Sequence, residues 1–170
     1  MSTTTNLGIT KLEVGQAQKE ATINAALDAL DAQVGGAWTS WSPTWTNLSV
    51  GNGTVVAKYA RIGKLVHARL SLVFGSTTSV SGSVSFSLPV TRVANAGTAT
   101  VSPMGLVRLF DTSAGFALEG TIVNASTTTG QAIVWDTSGT YAKGAALSST
   151  VPFTWATGDE IGAQFLYEAA

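Results

Sequence analysis

The chain has few of the residue types on which enzymatic and metal sites depend. Its 170 residues include no cysteine and one histidine, His67. The absence of cysteine excludes a disulfide scaffold, a thiol nucleophile and a cysteine-based zinc site. Any histidine triad or metal cluster would depend on His67 alone, so we interpret His67 as a surface or interface residue. The sequence therefore predicts no catalytic residue, no metal site and no cofactor.

Charged side chains are also scarce, at 11% of the chain, against roughly 25% in average proteins. The formal net charge of -1 gives no electrostatic footprint for DNA or RNA. No apolar run approaches the roughly 18 residues that a membrane span needs. The polar start, Met1–Asn6, is unlike a signal peptide. We expect synthesis in a cytoplasm without a cleaved export signal, no nucleic-acid partner and no membrane insertion.

Carboxylates are the remaining candidates for catalysis, because glycoside hydrolysis needs two that face each other. The second part of the chain contains six: Asp111, Glu119, Asp136, Asp159, Glu160 and Glu168. Four of them lie in or beside turn signals, where polar side chains bond the backbone. We therefore predict that the protein is not an enzyme, and a polysaccharide hydrolase is kept as a remote alternative.

One helix is predicted, over Gln16–Val34. Its large apolar residues recur at helical spacing and form one face: Ile23, Leu27, Leu30 and Val34. Gly35 is predicted to end the helix as a left-handed cap. A helix of this length is marginal alone in water, so the apolar face needs a partner. Three partners fit: the rest of the same chain, other copies in a short coiled coil, or another protein.

The residues after Gly36 have the pattern of short strands separated by turns. In Ser83–Leu88 and Ile161–Tyr167, apolar residues alternate with small or polar ones, which is typical of half-buried strands. The other predicted strands are Trp45–Val50, Val55–Arg61, Leu65–Phe74, Thr98–Val101, Leu106–Phe110, Phe116–Val123 and Ala132–Trp135. This spacing predicts a mainly β protein, an antiparallel, jelly-roll-like β-sandwich preceded by one N-terminal α-helix. We expect a helical anchor at 1–36, a linker at 37–44 and a head domain at 45–170.

Three of the five tryptophans crowd the junction between helix and strands, at Trp38, Trp41 and Trp45. Aromatic faces of this kind stack on sugars, but they more often seal the base of a domain or the neck of a trimer, which is the interpretation favoured here. We expect the other two, Trp135 and Trp155, to lie in the core.

Several segments, taken in order, resemble the β module of phage tail proteins, which occurs in minor tail proteins, tail fibres and host-recognition tips. They are Trp45-Thr-Asn-Leu-Ser-Val-Gly-Asn-Gly-Thr54, Tyr59-Ala-Arg-Ile-Gly-Lys-Leu-Val66, Phe86-Ser-Leu-Pro89 and Phe153-Thr-Trp-Ala-Thr-Gly-Asp159. The helical segment is similar to an N-terminal part of phage and gene-transfer-agent tail-tip proteins, through Gln16-Ala-Gln-Lys19, Asn24-Ala-Ala-Leu27 and Leu30-Asp-Ala32. The resemblance implies a virion structural protein, commonly a homotrimer, whose distal β domain faces the host surface.

These observations predict a protein of a virion, at the tail tip or in a fibre. Residues 1–36 would bind other virion proteins, and the head would form a homotrimer that recognises a host-surface saccharide. The loops expected to carry recognition are Gly75–Gly82, Asp111–Gly115, Asn124–Gly130 and Asp136–Lys143, with Tyr141, Asn124 and Asp136 as candidate receptor contacts. The alternative is a purely structural fibre adaptor or head decoration protein that binds no receptor.

Overall fold

The computed structural model describes residues 2–12, 19–94, 102–136 and 139–170. Within these ranges the chain forms one helix and ten strands, and all strand pairs are antiparallel. The elements are α1 (Lys19–Val34), β1 (Thr39–Ser40), β2 (Trp45–Ser49), β3 (Thr54–Ile62), β4 (Leu65–Val73), β5 (Ser79–Ser87), β6 (Pro103–Asp111), β7 (Phe116–Asn124), β8 (Thr129–Asp136), β9 (Lys143–Ala146) and β10 (Glu160–Glu168). The mainly β antiparallel fold with an N-terminal helix is therefore confirmed.

The strands form one sheet in the order β1-β3-β4-β10-β6-β7-β8-β5-β2, and β9 pairs with β8. The edge strands β1 and β2 end this order, yet only residues 41–44 separate them in the chain. Five Cα-to-Cα steps span at most about 18 Å, so the two edges of the sheet must lie close together. The sheet is thus curled into a half-barrel. A two-sheet sandwich is not confirmed and stays a prediction.

The core fills the concave side of this sheet. Phe165 on β10 is fully buried, and its ring centroid lies 5.7 Å from that of Phe86 on β5. These strands are four positions apart in the sheet order, so only the curl brings the two rings into contact. Trp41, in the segment between the two edges, covers the same centre, with its ring 6.3 Å from that of Phe165.

Alternation located most of the strands correctly. On β4 and β10 every second side chain is buried and the others face outward. Two short strands were missed, β1 and β9, because neither has an alternating pattern. The predicted strand Thr98–Val101 and the predicted helix start at Gln16 lie outside the described residues.

Two glycines show how turns and close approaches position the helix. Gly63 has a φ of +58° in the tight turn that joins β3 to β4, where glycine avoids the strain of a side chain. The prediction of a left-handed cap at Gly35 is wrong, because its φ lies outside that region. A Cβ atom at Gly35 would lie 2.5 Å from Cβ of Asn6, so glycine is needed for the close approach of the N-terminal segment.

Candidate binding surfaces at the two ends of the sheet

The strand registers divide the turns between two ends of the sheet. The Gly63–Lys64 turn and the start of β8 lie at one end, which we call the helix end because α1 lies beside Gly63. The loops around Gly75 and Asp111, and the connection from β8 to β9, lie at the opposite end, the far end. The nine residues of β4 separate the two ends by about 27 Å, at about 3.4 Å per residue.

Three faces of α1 have three different surroundings. Asn24, Asp28 and Asp31 contact the N-terminal segment 2–12. Ala29, Ala32 and Gln33 face the β3–β4 turn across a cleft that Arg61 and Lys64 also line. The predicted apolar face lies between them: Ile23, Leu30 and Val34 are 46%, 50% and 46% exposed, and Leu27 is half-buried. The helix therefore does not bury this face against its own sheet.

Asp31 holds the N-terminal segment on the helix. Its carboxylate is buried and accepts hydrogen bonds from the backbone N–H groups of Asn6 (2.9 Å) and Leu7 (2.6 Å). Burial acts to raise the pKa of Asp31, but these hydrogen bonds outweigh it and hold the pKa below the usual 3.8. Lys11 pairs with Asp28 at 2.6 Å, which adds a second contact between segment and helix.

At the far end, polar side chains mainly bond neighbouring loops. Asn52 accepts a hydrogen bond from the Thr77 N–H, and its own N–H donates to Thr77 Oγ1, both at 2.9 Å. Asp159 is fully buried and accepts the N–H groups of Thr112 (3.0 Å) and Ala156 (2.7 Å). The far-end loops are thus tied together, and these groups are already engaged.

Asp111 follows the same pattern within a single turn. It accepts the Ala114 N–H at 2.8 Å and the Ser113 hydroxyl at 2.7 Å, and these bonds lower the pKa of its carboxyl below 3.8. The expectation that turn carboxylates satisfy the backbone is confirmed at Asp111 and Asp159. In the described ranges, no three side chains of His, Cys, Asp or Glu lie close enough together to hold a metal ion.

The candidate receptor contacts lie in different surroundings. Tyr141 is 83% exposed at the far end. Asp136 is half-buried, and its carboxylate lies 3.7 Å from the ammonium of Lys143, its partner across the β8–β9 pair. Asn124 is buried at the helix end, where its Oδ1 accepts the Ser102 N–H at 2.5 Å. This engagement and its burial leave Asn124 poorly placed to contact a receptor.

The prediction that Trp135 belongs to the core is wrong. Its side chain is 65% exposed, because Val134 points inward on β8 and the next residue must point outward. The indole forms one wall of a cleft of about 260 Å³ near the far end, together with Thr121, Ile133 and Gly144. Strict alternation within Ala132–Trp135 was the signal that could have revealed it.

The other tryptophans pack largely as expected. Trp155 stacks on Phe74 with ring centroids 4.6 Å apart, and Trp45 lies 5.7 Å from Phe86 against the core. Trp41 is half-buried, and its Nε1 has no hydrogen-bond partner among the described residues. These contacts fit the sealing role predicted for the junction. Trp38 differs, because it remains 38% exposed on the outer face of the sheet.

His67 lies on that outer face, beside Trp38 and Gln164. Its ring meets Trp38 edge-on at 5.1 Å, and its Nε2 accepts the Gln164 amide at 2.8 Å. The guanidinium of Arg69 lies 4.4 Å from the centre of the Trp38 ring. The arrangement is consistent with the predicted surface or interface histidine.

Comparison with known proteins identifies no relative. No protein-family model, no curated protein and no solved structure matches this chain. No helix in the described ranges combines the length and hydropathy that would let it cross a membrane. The resemblance to phage tail proteins therefore stays a prediction. The structural features that bear on function are the exposed apolar face of α1 and the exposed rings toward the far end of the sheet.

Proposed function

We propose that the chain is a virion structural protein of a tailed phage or phage-like particle. Residues 1–36 attach it to other virion proteins, and a trimer of the β module presents its far end to the host surface. The observation that carries the proposal is the separation of two unpartnered surfaces. The exposed apolar face of α1 lies beside the helix end, and the exposed rings of Trp135 and Tyr141 lie toward the far end.

The attachment role rests on how little the sheet depends on the helix. In the part of the chain that the structure describes, the side chains of the hydrophobic core come from residues 41–169, and α1 approaches the sheet mainly around β3 and the β3–β4 turn. An element that contributes nothing to the core, yet leaves Ile23, Leu30 and Val34 about half exposed, is suited to contacts outside its own chain.

The trimer has a second source of contacts on the outer face of the sheet. Val56, Leu106 and Leu166 are 53%, 68% and 46% exposed there. They lie on strands β3, β6 and β10, at the centre of one half of the sheet. For the head itself we propose a jelly-roll-like module as the finer fold, which is supported by one curled antiparallel sheet around one core.

Deletion of residues 1–36 tests the division of labour. We expect the remaining chain to fold, with a far-ultraviolet spectrum that keeps its β character and loses only the contribution of α1, because the core is intact. We also expect it to be missing from purified particles. Incorporation of the truncated chain at the level of the full chain would refute the attachment role. Loss of the folded β module would refute its independence from the helix.

A purely structural adaptor is the second candidate, and one observation favours it. At the far end, Asn52, Thr77 and Asp159 are engaged in bonds between loops rather than presented to solvent. Particles that lack the protein decide between the two. A structural adaptor predicts defective assembly, whereas a receptor-binding protein predicts assembled particles that do not adsorb to host cells.

A further inference from the structure

We propose that copies of the chain join through the outer face of the sheet, where the Glu119 carboxylate of one copy enters a hollow above Gly162 of the next copy and pairs with Arg69 there. The inference rests on the proposed function, because it specifies the interface of the proposed trimer. It concerns the outward side chains of β4, β10, β6 and β7, which are consecutive in the sheet order.

The hollow exists because β10 has a glycine at an outward position. Gly162 lies between Ser71 on β4 and Arg108 on β6 in the strand register. Apart from its chain neighbours, a Cβ atom at Gly162 would have only the Arg108 carbonyl oxygen within 4 Å, at 3.9 Å. The cleft that includes this position has a volume of about 370 Å³, and Arg69 and Leu106 also line it. The hollow therefore has room for a side chain from outside.

Charge is unevenly distributed across this face. Lys58 on β3 and Arg69 on β4 lie directly opposite each other in the register, and both point outward. Like charges in this arrangement destabilise a sheet. Glu119 is exposed on β7, at the other side of the hollow. Among the ion pairs of the described residues, none includes Lys58, Arg69 or Glu119. The basic side of the face and the acid are thus both available to a partner.

The strand order allows a ring of copies to bring the two sides together. Gly162, Arg108 and Glu119 form one row across β10, β6 and β7. The hollow and Glu119 therefore lie at the same height on opposite sides of β6. Rotation about an axis parallel to β6 places the hollow of one copy against Glu119 of the next, and repetition of this contact closes the ring. Leu106, which is 68% exposed on β6, then lies at the axis among its copies.

A second copy matches this face better than a strongly charged polymer does. A polyanion attracted to Arg69 would also approach Glu119 and Glu160, which lie on either side of Arg108. A second copy offers an acid to the basic side and a base to the acidic side in the same contact. The exposed Leu106 adds apolar surface at the centre, as is usual for interfaces between identical chains.

A pair of introduced cysteines tests the contact directly, because the native chain has none. In the double variant Glu119→Cys/Gly162→Cys, β6 separates the two positions within one chain, and two strand spacings amount to about 9.6 Å. A disulfide needs Cα atoms within about 7 Å, so only cysteines of different copies can pair. We expect oxidation of the full chain at micromolar concentration to give covalent trimers on a non-reducing denaturing gel.

The matched control is Val56→Cys/Gly162→Cys. Val56 points outward in the same row, and β4 separates it from Gly162 as β6 separates Glu119 from Gly162. Both control positions lie on the same side of β6, so the ring does not bring them together. Equal cross-linking of the two variants, or no cross-linking of the 119–162 pair, would overturn the proposal. Complete oxidation to covalent dimers alone would overturn the ring of three.

Charge reversal measures the contribution of the acid. Glu119→Lys places a cation against Arg69 and Arg108 of the next copy, and like charges at an interface oppose association. We expect the midpoint concentration for trimer formation, measured by sedimentation equilibrium, to rise by about tenfold. Glu168→Lys is the control, because it makes the same charge change on β10 at the helix end, beside Lys64. Equal shifts in the two variants would overturn the contact at Glu119.

The outcomes separate a failure of this inference from a failure of the proposed function. A native trimer whose midpoint does not change in Glu119→Lys, and whose 119–162 pair does not cross-link, overturns the contact and leaves the trimer standing. A native chain that stays monomeric at micromolar concentration refutes the trimer and this contact with it. Loss of the trimer in Glu119→Lys, in particles that still adsorb normally, would confirm the contact and refute the role of the trimer in host recognition.

Discussion

Replacement of Leu30 by glutamine tests whether the apolar face of α1 holds copies of the chain together. Full burial of a large apolar side chain contributes roughly 1.5–3 kcal/mol. Ile23, Leu30 and Val34 are each about half exposed, so each has about 1 kcal/mol left to gain from a partner. Leucine and glutamine have similar helix propensities, so the substitution removes the contact without unwinding the helix.

A contribution of about 1 kcal/mol per side chain predicts a measurable shift in the monomer–trimer equilibrium. Three copies of Leu30 contribute about 3 kcal/mol to a trimer, so their loss lowers the overall association constant more than 100-fold. Because the ratio of trimer to monomer depends on the square of the monomer concentration, the midpoint concentration should rise about tenfold. Sedimentation equilibrium over a range of concentrations measures this midpoint directly.

The control substitution is Ala25→Gln, at an exposed position on another side of the helix. It should leave the midpoint unchanged. A native chain that remains monomeric at micromolar concentration would refute the trimer, and identical midpoints for the two variants would exclude the apolar face from the interface.

In a trimer the apolar face would contribute nine side chains, Ile23, Leu30 and Val34 from each copy, worth about 10 kcal/mol together. Each association step costs roughly 4–15 kcal/mol, so the outer face of the sheet must contribute as well.

The remaining predictions concern pH. Because the pKa of Asp31 is lowered by its hydrogen bonds, its stabilisation of the N-terminal segment is present above pH 3.8 and is lost as the pH falls through the lower folded value. The amide signals of Asn6 and Leu7 should report this transition, and Asp31→Asn should abolish it. Burial, partly opposed by the hydrogen bond to Val90, raises the pKa of Tyr167 to about 12. Between pH 10 and about 12 the folded state keeps a proton that the unfolded state releases, so the free energy of unfolding should fall as the pH rises. Urea titrations should show this fall in the native chain and not in Tyr167→Phe, and an equal fall in both would contradict it.

The sequence revealed the strands better than it revealed their arrangement. Alternation is a local property, so β4 and β10 could be located from their own residues. The curl of the sheet depends on pairing between distant segments, such as Ser85 with Gln131, for which a single sequence gives no register. Residues 37–44 were therefore predicted to be a linker, although β1 within this range pairs with β3 at one edge of the sheet.

The contacts of the N-terminal segment were unpredictable for a related reason. Asp31 binds the Asn6 N–H across 25 residues, and its position on the polar side of an amphipathic helix indicates only solvent exposure. Trp135 is the opposite case, since its outward direction followed from its neighbours on β8. Its aromatic character was given more weight than its position, which led to the wrong prediction of core packing.

The two unpartnered surfaces depend on each other in function. A net charge of -1 provides little long-range attraction toward a charged surface, so the proposed recognition of a host would have to come from short-range contacts. One stacked ring gives weak binding, and useful adhesion then requires several copies that act together. In the proposed trimer, binding by one far end and adhesion of the whole assembly are therefore separate quantities. The exposed rings at the far end would set the first, and the apolar face of α1 would set the second by fixing how many far ends face the host at once.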